Sequence, residues 1–236
     1  MKNYLNSINE IKLYTFQAGW REWMFLKIST NKEFGWCECT DTFKNLNGFS
    51  GILKDFSNLI INEDAKNIDR ILWKLKTKSK SNPGSLVQRV IGAVENCLFD
   101  LFGKLVNKPV HEILGNKIHS ELELYWSHCG TTRVRTPQFL KSPPIKSLKD
   151  TKSLCDEVNQ TDFKVIKTNL ATFNNGPKIY MPGHIVEFNN PDLSLSDEML
   201  SEIDAWIGEL NNNLNDDIYI AVDLNFNFNT KDLIKI

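Results

Sequence analysis

Two short stretches carry residue types that can do chemistry together. One is Ile218-Tyr219-Ile220-Ala221-Val222-Asp223-Leu224-Asn225, an apolar run that ends in an acid and an amide. Its β-branched residues and its length predict a buried parallel strand rather than a helix. The other is Phe163-Lys164-Val165-Ile166-Lys167-Thr168-Asn169-Leu170, which is also strand-like and also ends in polar residues. In α/β enzymes a carboxylate at the C-terminal end of a strand sits where metals and substrates are held. Neighbouring parallel strands that deliver an amine and a carboxylate suit metal-assisted proton chemistry. Strand alternation puts Val165, Lys167 and Asn169 on one face, so both polar side chains should point to the site. Plainer roles compete with these: a turn-forming Asp223, an Asn225 that merely favours the turn, and a Lys167 that snorkels from a strand end.

At 236 residues the chain can bury a sizeable core in one or two domains. A net charge of -1 leaves no basic surplus for nucleic acid or an acidic membrane. Lys74, Lys76, Lys78 and Lys80 read as a solvated helix end and loop. No apolar stretch approaches the roughly 20 residues of a membrane-crossing helix, and residues 1–11 show no secretory h-region. Five cysteines do not make a disulfide framework, and Cys37 and Cys39 lack the second pair that a zinc site needs. The cytoplasm is the expected compartment.

The elements that must position the site follow from periodicity. Residues 11–17, 23–29 and 34–40 alternate as strands and predict an antiparallel meander. Helices are expected from about Gly48, with Leu53, Phe56, Leu59 and Ile60 on one side, and from Asp64, with Ile68, Ile71, Leu72 and Leu75 at helical spacing. Asn82-Pro83-Gly84 is a turn, and Ser85 with Gln88 has capping-box spacing before the stripe Leu86 to Phe102, with Gly103 as the expected C-cap. Pro109 opens a short helix closed by Gly115. Strands followed by helices make the first half an α+β unit. From Glu121–Trp126, read as a strand, the pattern becomes β-α-β-α-β-α, as in a parallel sheet or barrel. The polar loop 127–133 follows that strand, and residues 171–194 read as a long irregular insertion. Ser196 can cap the helix that precedes the last strand, and Leu233 belongs to a further helix.

Four stretches resemble the mandelate racemase and muconate lactonizing branch of the enolase superfamily. They are Gly35-Trp36-Cys37-Glu38-Cys39-Thr40; the segment Ala93 to Lys104 continuing through Lys108-Pro109-Val110 to Leu114-Gly115; the strand at 164–169; and Asp223-x-Asn225. The resemblance implies an α+β capping domain, residues 1–118, and a partial (β/α)8 barrel of the TIM type, residues 119–236, with only its first three βα units. It implies Mg²⁺ held by acids at successive strand ends, a base that removes the proton α to the substrate carboxylate, and an ene-diolate intermediate.

On that resemblance Asp223 matches the first metal acid, and Asn225 holds the acid or the substrate. Lys167 and Asn169 match a lysine-x-lysine pair. A lysine beside a metal and partly desolvated should have a lowered pKa. Asn169 cannot act as a base, so the base is either Lys167 or a residue from the opposite side of the barrel. His128 and Arg133 are candidate substrate contacts: the arginine for a carboxylate, the histidine for a hydroxyl or for the proton of a departing one. Trp20, between the first two strands, and His184, in the insertion, are candidates to close over a substrate.

The expected activity is dehydration of a sugar acid by a lyase. The alternatives are an epimerase or cycloisomerase of the same superfamily, and a non-catalytic remnant or carboxylate-binding module. The expected partner is a small-molecule carboxylate, and full-length members would assemble as homo-oligomers. The missing later strands mark the chain as a fragment that would be inactive alone.

Overall fold

The computed structural model describes residues 4–17, 22–39, 45–180, 195–225 and 230–235. Contacts divide the chain into two units, Met1–Ser120 and Glu121–Ile236. None of the helices among the described residues is long and apolar enough to cross a membrane.

In the first unit β1 (Glu10–Gln17), β2 (Glu22–Ser29) and β3 (Phe34–Cys39) form the expected antiparallel meander in the order β1-β2-β3. Alternation sends Met24, Leu26 and Ile28 of β2 and Cys37 and Cys39 of β3 into the core. There they meet α1 (Leu46–Ile60), α2 (Ile68–Lys78) and above all α3 (Ser85–Val106), whose Val90, Val94, Cys97, Leu98 and Leu101 are fully buried. Burial pushes the Cys97 thiol up to about 12, so it stays protonated and packs as a small hydrophobe.

Three local expectations change. Asp64 does not start α2; its carboxylate accepts from the Lys66 amide at 3.0 Å in a turn, and the helix begins at Ile68. The Ser85/Gln88 capping box does not form, because Gly84 is the N-cap and Gln88 donates to the Pro83 carbonyl instead. Gly103 lies inside α3, and the helix ends at Asn107 in the left-handed conformation. Glycine is needed at 103 for another reason: a Cβ there would lie 2.8 Å from the Lys108 carbonyl oxygen, where the chain turns back toward α4 (Val110–Leu114). The lysine run is only partly solvated, since Lys74 forms an ion pair with Glu63.

The second unit is built around β4 (Val165–Thr172), flanked by β5 (Lys178–Tyr180) and β6 (Tyr219–Asp223) in the order β5-β4-β6. β4 and β6 are parallel and β4 and β5 antiparallel. Behind them pack α6 (Thr151–Val158) and α7 (Asp197–Asn213), with Ile166, Leu154, Cys155, Val158, Trp206 and Leu210 in the core. Ser196 caps α7 as expected, its hydroxyl accepting from the Met199 amide. Thr230–Leu233 forms α8.

The predicted strand at 121–126 is reduced to one parallel bridge, Trp126 to Ile166. Leu122 and Leu124 are about three-quarters exposed, so the alternation that suggested a strand finds no apolar surface to cover among the described residues. The expected buried strand ending at Asp223 forms as Tyr219–Asp223, but not buried: Tyr219 is 72% exposed, and β6 pairs only with β4 among the described residues. The insertion is not wholly irregular either, since Lys178–Tyr180 returns along β4.

Gly35 shows how tightly the first unit is closed. A Cβ on it would lie 2.2 Å from the Cys97 carbonyl oxygen and 2.7 Å from the Leu101 nitrogen, both of them helix backbone that cannot yield. Gly92, by contrast, faces open space within α3. Gly35→Ala is expected to lower unfolding stability in urea by about 3 kcal/mol through overpacking. Gly92→Ala should raise it by about 0.5–1 kcal/mol through helix propensity.

Candidate active site

One edge of β4 is shared in turn by several partners. The Trp126 amide donates to the Val165 carbonyl at 3.0 Å, and the Lys167 amide to the Trp126 carbonyl at 2.9 Å. The Cys129 amide then takes the Lys167 carbonyl at 2.8 Å. At Asn169 no backbone partner serves; the amide donates to the Thr131 hydroxyl at 3.2 Å. β5 takes over from Leu170. Thr131 opens the five-residue helix α5 (Thr131–Arg135), and it is buried. The left-handed His128 (φ 55°) and Gly130 (φ 75°) turn the chain so that this hydroxyl faces β4.

Asn169 is 2% exposed, and its polar atoms are taken up by the fold. The Thr131 hydroxyl donates to its Oδ1 at 3.1 Å, and its own Nδ2 donates to the Asp223 carbonyl at 3.2 Å. The Trp206 indole N–H donates to its main-chain carbonyl at 3.1 Å. Asn169 thus ties α5, β6 and α7 to β4, and positions its neighbours where sequence reasoning had aligned it with a base.

Beside it, Lys167 Nζ lies 2.9 Å from Asp223 Oδ2. The ion pair holds the Asp223 carboxyl below its ordinary range, with the Asn225 amide and the Lys167 and His128 charges adding to the effect. It raises Lys167; the lowering expected from the sequence was for a lysine beside a metal ion. The lysine is half-buried and its nearest charge is an acid, so the pairing outweighs desolvation. His128 shifts the other way: burial, and then the charges of Arg135 and Lys167, push it below its ordinary 6.5 and leave it neutral at pH 7. Asn225 is left-handed (φ 51°), and its amide donates to Asp223 Oδ1 at 3.0 Å, so it fixes the rotamer of the acid through a turn.

Arg133 does not reach this cluster. It is buried, and its Nη2 donates to both carboxylate oxygens of Glu157 on α6, at 2.9 and 2.8 Å. The expected substrate contact is a clamp between two helices. The charge of Arg135, a residue the sequence reading did not single out, acts on His128. Trp20 and His184 lie outside the described residues.

A divalent metal is not accommodated by this set alone. Asp223 is the acid at the strand end, each of its oxygens already has a partner, and no group of three His, Cys, Asp or Glu side chains among the described residues is placed to hold an ion. One carboxylate holds Mg²⁺ weakly.

Residues 16–115 match the family model for the mandelate racemase/muconate lactonizing enzyme N-terminal domain. The first unit is similar to that domain over those residues. Among curated proteins, a D-galactonate dehydratase of Variovorax paradoxus strain S110 is 28% identical over 116 residues, 48% of this chain and 30% of that protein. Among solved structures, a protein of Burkholderia xenovorans strain LB400, provisionally assigned as an L-alanine-DL-glutamate epimerase, superposes with a TM-score of 0.91 at 29% identity. It covers 98% of this chain and 58% of its own. A second structure of that protein, bound to magnesium and fumarate, is 28% identical with a TM-score of 0.91, and covers 98% of this chain and 57% of its own. The chain spans less than two thirds of each of these relatives. This chain is thus similar to proteins described as a D-galactonate dehydratase and an L-alanine-DL-glutamate epimerase.

The charge pair sets a pH signature. Asp223 is lowered, so its contribution is present above its ordinary 3.8 and is lost as pH falls through the lower folded value. Lys167 is raised, so its contribution is present below its ordinary 10.5 and is lost as pH rises through the higher folded value. Lys167→Met should cost about 1 kcal/mol of urea stability at pH 7, a modest figure for a partly exposed pair. The difference from wild type should shrink steadily in titrations taken below pH 3.8.

Proposed function

We propose that residues 1–118 form the cap and residues 119–236 the first three βα units of a (β/α)8 enolase-superfamily enzyme, and that the full-length protein dehydrates a sugar acid. The reaction removes the proton α to a carboxylate, forms an ene-diolate and expels the β-hydroxyl. The observation that carries the reading is the pairing of Lys167 with Asp223 at the end of adjacent parallel strands, with the neutral His128 beside them. Matches to D-galactonate dehydratases support the same chemistry.

Within this chain the roles follow from charge state. Lys167 is an ammonium ion and donates to a substrate carboxylate oxygen, where negative charge grows as the α-proton leaves. Neutral His128 accepts a proton, or donates its N–H to a substrate hydroxyl. Asn225 and Asn169 keep Asp223 and the end of β4 in register. Mg²⁺ enters through the relative bound to magnesium and fumarate, and Asp223 would be this chain's described contribution to such a site. A carboxylate would be the bound partner.

Epimerisation is the second reading, favoured by the 0.91 TM-score to the Burkholderia protein. It shares the first step and differs in the fate of the ene-diolate, which is reprotonated on the opposite face instead of losing hydroxide. The full-length protein, incubated with Mg²⁺ and a panel of sugar acids in deuterium oxide, should exchange the α-proton and release a keto acid with loss of water. Exchange with inverted configuration and no keto acid would support the epimerase. Absence of exchange on every acid, with carboxylate binding retained, would leave a binding module. Lys167→Met should slow exchange by about 10²-fold or more, the scale of one lost charge-stabilising donor.

A further inference from the structure

The outer face of the β1-β2-β3 meander is aromatic where a solvent-facing sheet would be polar. Alternation turns Met24, Leu26 and Ile28 of β2 into the core, so Trp23, Phe25 and Lys27 lie on the opposite face. The strand registers set Phe16 across from Trp23, Tyr14 across from Phe25, and Trp36 across from Lys27. Phe34 lies across from Ser29 on the same face. Three strands thus present six aromatic residues to one side. Phe16 is 55% exposed, Phe34 42% and Trp36 38%. Large rings gathered in this way mark a contact surface, whereas singly scattered apolar residues would not.

Relief and charge decide what this face fits. Tyr14 and Trp36 are tilted by 45° with 5.3 Å between ring centres, and Phe16 meets Phe25 edge-on at 67° and 5.9 Å. Tilted rings make ridges and gaps that a second sheet can fill, not the flat platform on which a base would stack. Lys27 Nζ stands 4.2 Å from the centre of the Phe34 ring and 5.5 Å from that of Trp36. Lys12 pairs with Glu10 at 2.5 Å, and Glu38 lies across from Phe25. Among the described residues of the face two lysines balance two acids, so it offers no surplus to a nucleic acid and does not repel a copy of itself.

We propose that this face is the contact through which two copies of the chain pair, sheet on sheet, about a two-fold axis. A two-fold contact needs one patch that complements itself. An axis across the strands, between the Phe25 and Lys27 positions of β2, stacks the sheets with their strands antiparallel. Each Lys27 then faces Phe25 of the other copy and each Lys12 faces its Tyr14, cation to ring, and no lysine meets a lysine. Three strands of up to eight residues make a face of about 14 by 26 Å. That suits the apolar centre of a standard contact, whose full area is about 800 Å² per copy and whose remainder is polar rim. The proposal does not rest on the reading of β4 and β6 as an active site.

The test is the mass of the full-length protein in sedimentation, over a dilution series from about 100 to 1 µM. The wild type should assemble in an even number of copies. Phe16→Asp and Trp36→Asp place a charge at exposed positions of the face, and circular dichroism selects the variants that remain folded. Each should sediment at half the wild-type mass, or dissociate at a concentration about 10-fold or more higher. A second measurement needs no variant. Acetylation of the wild type, followed by mass spectrometry, should label Lys27 several-fold more slowly in the assembled protein than in protein dissociated by dilution or low urea. A wild type that stays monomeric at every concentration, folded variants that keep the wild-type assembly, or a Lys27 labelled equally in both states would overturn the proposal. A monomer that captures single-stranded DNA or anionic lipid vesicles, and loses them on Phe16→Asp, would also overturn it and give the face to that occupant.

Discussion

The second unit depends on how one buried amide is satisfied. Asn169 sits where the edge of β4 changes partners, between the turn after Trp126 and the returning strand β5. A buried donor or acceptor left unpaired there would cost about 1–3 kcal/mol. The fold instead supplies a hydroxyl from α5, a carbonyl from β6 and an indole N–H from α7, all meeting at one residue. These bonds fix the distance between β4 and β6 at the level of Asp223, and with it the reach of Lys167 to that acid. The site geometry is a consequence of polar satisfaction in the core beside it.

The first unit is held by close approach joined to a small polar cluster. Gly35 lets β3 lie directly on the α3 backbone. Asp100 then accepts from the Trp36 amide at 2.8 Å and from Lys104 at 2.6 Å, and Lys104 reaches the Phe34 carbonyl at 3.2 Å. Gly103 admits the Lys108 carbonyl in the same way. The residues that carry the family resemblance in this unit, Gly35, Trp36, Asp100, Gly103 and Lys104, are thus packing and capping residues. In this unit they act in the fold, through close approach at the glycines and hydrogen bonds at Asp100 and Lys104.

That division explains which features could be read in advance. The meander, the main helices and the β4–β6 parallel pair follow from periodicity, which senses which face is buried. The placement of Lys167 and Asp223 on facing strands follows from period two and holds to 2.9 Å. The expectations that failed depend on partners that a sequence does not name. Arg133 looked like a free cation until α6 supplied Glu157. Asn169 looked like a displaced base, whereas its burial and its bonds to three elements make it a positioning residue. The strand at 121–126 was lost because alternation needs a surface to bury against, and Leu122 and Leu124 find none among the described residues. Ser85 and Gln88 have the spacing of a capping box, but Gly84 already turns the chain into α3.

The central claim is that Asn169 is spoken for by the fold and is not a vacant base position. The most direct measurement is the urea stability of Asn169→Lys in the full-length protein. A lysine there would lose the bonds to Thr131 and Asp223 and bury an unpaired charge, so the account predicts a loss of about 3 kcal/mol or more for the unit that contains Trp206. Wild-type stability in that variant, with faster α-proton exchange, would mean that the position is a vacant base site and would contradict the account.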